Sequence, residues 1–254
     1  MDDDERPSNG FGGVIRGVLF IASAAGFAAA LVFAWSHPWL LAVVGAVAVA
    51  LVAQRWWSSA RLDRLFKRGD VEGIIAHWSE SYDRIPYAET MAPLINATAF
   101  AAFGRVEDAR TALASAARGP AWDAAVEHRV FLDAILSIFE GDATHAREQA
   151  ARLSAMPVPS EQRLAGRVTN LRGAVAALAR AFEHAALPGD LTQLETASET
   201  SPIVHWAMRY GAAIVAFDAG DKLHARALIQ GAPSWPEESA FRSFHDELSG
   251  ALSS

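Results

Sequence analysis

The chain of 254 residues contains no cysteine. Disulfides, thiolate metal sites and zinc fingers are thereby excluded, although the absence does not fix a cellular compartment. Lysine is nearly missing, standing at 67 and 222 alone. The basic side chains are therefore arginines, which reads as genome base composition rather than selection for guanidinium forks. An excess of positive charge is also lacking: the formal net charge is −7, which argues against a general nucleic-acid binder. No phosphate loop is present, since none of the glycine pairs follows a strand or leads into Lys-Ser or Lys-Thr. GFGGVIRG near the start has glycines at the wrong spacing and runs into an apolar stretch. The eight histidines are scattered, no two closer than 17 residues, so no pair of helical zinc ligands can be drawn. His145 and Glu148 could share a helix face, and a solvated face accounts for them. The sequence implies no cofactor, no metal and no catalytic residue.

Charge is missing most completely from two runs. Residues 17–35 read GVLFIASAAGFAAALVFAW, and residues 39–53 read WLLAVVGAVAVALVA. Ser36, His37 and Pro38 separate them. About 20 helical residues cross the hydrocarbon core of a bilayer. The first run meets that length, and the second does so when Trp56 and Trp57 are counted as its interfacial end. Trp35, Trp39, Trp56 and Trp57 stand where aromatic belts are expected. Small residues recur every four positions, at Ala22, Gly26 and Ala30 and again at Ala42, Ala46 and Ala50, a spacing that lets two helices approach closely in lipid. A cleaved signal peptide is disfavoured by the acidic start MDDDERPSNG and by the second apolar run. Arg55, Arg61, Arg64, Lys67 and Arg68 follow the second run, Arg6 and Arg16 precede the first, and the link has no Lys or Arg. The positive-inside bias then puts both termini in the cytoplasm, as a multi-pass protein of the cytoplasmic (inner) membrane. The basic cluster stands where it can touch anionic head groups of the lipid bilayer.

The expected organisation is a tail over 1–16, a two-helix transmembrane hairpin over 17–57 and a cytoplasmic helical-repeat domain over 58–254. Beyond residue 58 apolar residues recur at three and four rather than two. Helices are expected near 71–82, 89–103, 105–117, 121–139, 143–154, 161–186, 190–198, 203–218, 221–230 and 237–251. Ser201-Pro202 offers an N-cap with proline in the first turn, and Asp190 with Gln193 has the spacing of a capping box. Pro93 falls early in its helix, where a missing N–H costs least.

Three stretches echo one another: GRVEDARTAL from Gly104, GDATHAREQA from Gly141 and GDKLHARALI from Gly220. Seven residues before each glycine lie Ala97, Ala134 and Ala213. Five residues after lie Ala109, Ala146 and Ala225, followed by Arg110, Arg147 and Arg226. A helical hairpin needs a residue at its turn that tolerates unusual backbone angles, and small residues where its helices touch. The first two marks are 37 residues apart and the third lies 79 later, which leaves room for one unmarked pair. Gly69 would belong to an incomplete first unit.

This pattern resembles tetratricopeptide repeats, helix–turn–helix units of about 34 residues. Phe100, Leu113, Ala116 and Pro120 stand at fitting places in the first unit. The Trp, Leu and Tyr that usually mark the first helix are missing in most units. A membrane hairpin followed by such repeats is also similar in arrangement to HemY-type bacterial membrane proteins. The expected fold is thus all-α: a transmembrane hairpin and an α-solenoid of antiparallel helix pairs. The resemblance implies that the first helix of each unit lines a groove for a protein partner, with His128, Phe131 and Ile135 in one unit and Tyr210, Ile214 and Phe217 in another. Packing as core is the competing account of each apolar residue. The implied role is a membrane-anchored adaptor or scaffold that binds no nucleic acid. A second reading is a regulatory or assembly subunit of an oligomeric transport complex, self-associating through the small-residue faces. A helical enzyme is the third.

Overall fold

The repeated glycines close their helices in one way. The computed structural model describes residues 64–253 of the chain, so the expected tail, the hairpin over 17–57, Arg55 and Arg61 lie outside the described residues. Within them, Gly69, Gly104, Gly141 and Gly220 have φ of 75°, 68°, 77° and 84°. At each, the next N–H bonds back to the carbonyl five residues earlier: Arg105 to Phe100 at 3.0 Å, Asp142 to Ser137 at 3.0 Å and Asp221 to Ala216 at 2.9 Å. This is the Schellman closure, and the positive φ it demands is why glycine stands there. In the Gly-Asp pairs the following residue starts the next helix. The carboxylates of Asp70, Asp142 and Asp221 accept from the N–H groups of Gly73, His145 and His224 at 2.9, 3.0 and 3.0 Å. One dipeptide thus ends one helix and caps the next.

The elements follow as α1 (Val71–Ser79), a 3₁₀ turn (Tyr82–Arg84), α2 (Ala88–Ala102), α3 (Val106–Ser115), α4 (Pro120–Ala124), α5 (Val126–Glu140), α6 (Ala143–Ala155), α7 (Gln162–Phe182), α8 (Asp190–Thr200), a 3₁₀ turn (Pro202–Val204), α9 (His205–Asp218), α10 (Lys222–Ile229) and α11 (Ala240–Ser253). The described part is all-helical, with packed pairs α2/α3, α5/α6, α7/α8 and α9/α10. Among the described residues no helix is long and apolar enough to cross a membrane.

Three local expectations need correction. The helix expected over 121–139 breaks at Ala125 into α4 and α5. Asp190 is not an N-cap: Gly189 holds that place, and the Asp190 carboxylate turns back to Arg180 and the Leu187 N–H. Ser201 makes no side-chain cap, and Pro202 opens the 3₁₀ turn before α9. The unmarked pair is α7/α8, whose turn residue is His184 at φ 54°, with Ala185 N–H bonded to Arg180 O at 2.9 Å. The closure is the same, made by a residue that adopts it less readily.

Ala97, Ala134, Ala213, Ala109, Ala146 and Ala225 are all buried, none more than 1% exposed. The arginine after each second-helix alanine reaches forward along the chain. Arg110 pairs with Asp133 and Glu140 of α5 at 2.5 and 2.7 Å. Arg147 of α6 lies 2.9 Å from Glu183 at the end of α7, and Arg226 of α10 donates to Leu252 O of α11 at 2.7 Å. The Gly–Ala–Arg echo is therefore a turn, a close-packed contact and a tie to the next element.

The first helices do not stop at neighbour contacts. α2 packs on α5, α5 on α7, α7 on α9, and α9 returns to α2. Trp206 Nε1 donates to Lys67 O at 3.3 Å across the same closure. The segment leading into α11 is tied to the first turn: Ser239 Oγ donates to Phe103 O at 2.6 Å and Ala240 N–H to Gly104 O at 2.9 Å. Its aromatic rings fill the middle. Phe241 lies 5.1 Å from Phe139, 5.3 Å from Tyr210 and 5.0 Å from Trp235, and Phe244 lies 4.8 Å from Phe182.

Candidate functional site

The residues expected to line a groove separate into core and surface. Tyr210 has no exposed area and Ile135 retains 3%. Tyr210 accepts a hydrogen bond from Trp235 Nε1 at 2.6 Å, and its single proton points to His245 Nδ1 at 3.1 Å. Burial pushes its phenol well above the ordinary range, against the smaller opposing effect of the Trp235 bond. Both are core residues, because the first-helix face they occupy is covered by other parts of the same chain. Phe131, Ile214 and Phe217 are half-buried against that core. Phe131 and Ile135 share a narrow apolar crevice with Thr98, Ala101, Ile203 and Val204.

His128 stands at the exposed start of this face. The Thr98 hydroxyl spends its proton on Leu94 O at 2.8 Å, so His128 Nε2 donates to Thr98 Oγ1 at 2.7 Å. Arg64, Lys67 and Arg68 of the basic cluster are exposed on the helical residues 64–68. The repeat-equivalent histidines have different duties: His145 Nε2 meets Asp133 at 2.8 Å within its own pair, and His224 Nε2 meets Glu195 of the preceding pair at 2.6 Å.

A second place has chemistry that residue spacing did not point to. Pro93 removes the N–H that would satisfy Glu89 O, and Ala117 N–H takes that carbonyl at 3.1 Å. Thr90 Oγ1 donates to Ala117 O at 2.9 Å. This two-bond clamp holds the link between α3 and α4, and with it Arg118 and Trp122. The Arg118 and Arg129 guanidinium carbons lie over the Trp122 ring, 3.7 and 4.3 Å from its centroid. Both distances suit a cation–π contact. Together with Arg152 of α6 they border a cleft of about 260 Å³ whose inner wall includes Leu113, Val126 and Val130. Asp133, the carboxylate of this wall, is already engaged by Arg110 and His145. Desolvation raises its pKa, but those two bonds outweigh it and hold the group below the usual carboxylate range. A deprotonated Asp133 bound to two partners leaves the three cleft arginines without a carboxylate of their own there. Sequence reading missed the site because its residues come from four elements. The Gly119-Pro120 break with Trp122 close behind was the available signal.

No family model matches the chain, and neither a curated protein nor a solved structure matches it.

Proposed function

We propose that the protein is a membrane-anchored helical-repeat adaptor whose tetratricopeptide-like, α-solenoid part meets a protein partner at the cytoplasmic membrane face. The observation that supports this reading is the repeated turn: four helix pairs share one closure, and the arginines of three of them tie forward along the chain, as in stacked helical-repeat units. The apolar runs over 17–35 and 39–53 supply the anchor in this reading, and the arginines that follow them supply its orientation. The partner face is the accessible part of the first-helix side, at His128 and Phe131, rather than Tyr210, which has no exposed area, or Ile135, which retains 3%. The absence of charge from the two apolar runs weighs against a pore made by this chain alone.

The test is native mass measurement of complexes taken from gently solubilised membranes, with wild type, His128→Ala and Phe131→Ala. A stoichiometric heteromeric partner, lost in the variants while their melting is unchanged, supports the adaptor. A stable homo-oligomer with no second protein favours the transport-complex subunit, and a bare monomer sinks both. Topology is checked with single cysteines, for which the cysteine-free chain is convenient. Ser8→Cys and Ser253→Cys should resist an impermeant thiol reagent in intact cells, whereas Ser36→Cys should react.

A further inference from the structure

The cleft between the first two helix pairs gathers more positive charge than its own walls neutralise. Arg118, Arg129 and Arg152 reach it from three separate elements. The ring of Trp122 receives the faces of two guanidiniums and leaves their N–H edges without an acceptor from that contact. Arg129 Nε is buried with no hydrogen-bond partner. Buried donors in folded proteins are nearly always paired, because an unpaired one forfeits its bond to water without replacement. Like charges held close add a further cost. The cation–π contacts account for Arg118 and Arg129 on the ring but not for a third guanidinium, Arg152, on the same open space.

We propose that this cleft binds a small phosphate monoester, its phosphoryl oxygens on Arg118, Arg129 and Arg152 and its organic body against Leu113, Val126 and Val130. The charge count selects the phosphoryl group over a carboxylate. A phosphate monoester carries about −1.5 to −2 charge and three terminal oxygens near neutral pH, enough for three guanidiniums. A carboxylate has one charge and two oxygens and leaves an arginine unmatched. The apolar inner wall asks for a ligand with a carbon skeleton, so inorganic phosphate should bind less well than an aryl phosphate. This inference is independent of the adaptor reading, since the cleft lies apart from the His128–Phe131 face and no protein partner is needed to fill it.

Isothermal titration of the full chain in a non-ionic detergent tests it, at about pH 7, with phenyl phosphate, inorganic phosphate and benzoate as probes. Phenyl phosphate should bind one to one, at least about tenfold tighter than either of the others. Arg152→Gln should weaken it about tenfold or more, the usual size for a lost charge-assisted bond. Arg152 is exposed, so this substitution tests the site without threatening the fold. Arg129→Gln should act in the same direction. Arg163→Gln, an exposed arginine of α7 outside the cleft, should leave affinity unchanged. The proposal is overturned by no binding up to about 10 mM, by benzoate matching phenyl phosphate, or by Arg163→Gln weakening binding as much as Arg152→Gln.

Discussion

At the scale of residues, the turn glycines share a backbone angle but not a neighbourhood. A Cβ on Gly141 or Gly220 would meet nothing within 4 Å, whereas one on Gly104 would meet Phe241 N and Ser239 Oγ at 3.1 Å each. Gly141→Ala should therefore cost only the backbone strain, about 1 kcal/mol. Gly104→Ala carries the same strain and must also displace the entry to α11, so it should cost clearly more. Equal losses in thermal melts of the two variants would refute the assigned difference. Ala146, 1% exposed, leaves no room for growth, and Ala146→Leu should cost about 1–3 kcal/mol. Its neighbour Arg147 has a side chain 61% exposed, and Arg147→Gln should change stability by about 1 kcal/mol at most, as exposed ion pairs do.

These residues were largely legible beforehand. Gly104, Gly141 and Gly220 announced themselves by position, and the alanines around them by regular offset. His184 did not, because nothing in a histidine marks a left-handed turn. A fainter signal was present: an aromatic residue stands one to three places before every turn residue, at Phe66, Phe103, Phe139, Phe182 and Phe217. Four of the five belong to the shared aromatic core. Tyr210 was misplaced for a different reason. Whether a first-helix residue faces a groove or a core depends on what lies opposite it, and that is supplied by Trp235 and Phe241 from far along the chain.

At the scale of elements, arginine supplies what helix ends lack. Arg172, almost fully buried, donates to Met156 O at 2.7 Å and Pro157 O at 3.1 Å beyond the end of α6, and also pairs with Glu127. Arg209 donates to Leu228 O at 2.5 Å and Ala227 O at 3.1 Å at the end of α10. Both satisfy carbonyls that a helix cannot pair internally. Between α7 and α8 the fastening is an ion pair. Arg180 holds Asp190 in two bonds of 2.6 and 2.8 Å. That bonding, opposed by desolvation and helped by the Leu187 N–H, lowers the Asp190 pKa. Asp190 is thus depressed in the folded state relative to about 3.9 in the unfolded chain. Its stabilisation is present above that unfolded value and is lost as pH falls through the lower, folded one. Denaturant melts from about pH 6 to pH 3 should show wild type losing stability more steeply than Asp190→Asn. Asp133 is depressed as well, so the variant's slope should shrink without vanishing. Parallel curves would remove Asp190 from the account.

At the scale of the whole described unit, the join at α11 decides how it unfolds. Phe241 is fully buried among Phe139, Tyr210, Trp235 and Phe244. Phe241→Ala should cost about 3–5 kcal/mol, the usual range for a buried phenylalanine. Because the ring touches residues of α5 and α9 and the segment before α11 bonds to the first turn, the loss should lower one transition rather than split off a terminal piece. Tryptophan fluorescence and helical circular dichroism should fall together in the variant as in wild type. An early fluorescence transition with helicity retained would show α11 detaching by itself.

The return contact of α9 on α2 also bears on how such a chain can change over generations. An open stack of like units can gain or lose one by duplication or deletion, since each unit needs only its two neighbours. Here Trp206 must still find Lys67 O, and Ala240 N–H must still find Gly104 O. A fifth pair copied between α6 and α7 would carry α9 and α11 past both partners, and a deleted pair would leave them short. The number of pairs is therefore fixed by geometry. Substitution within a pair leaves both of these partners within reach.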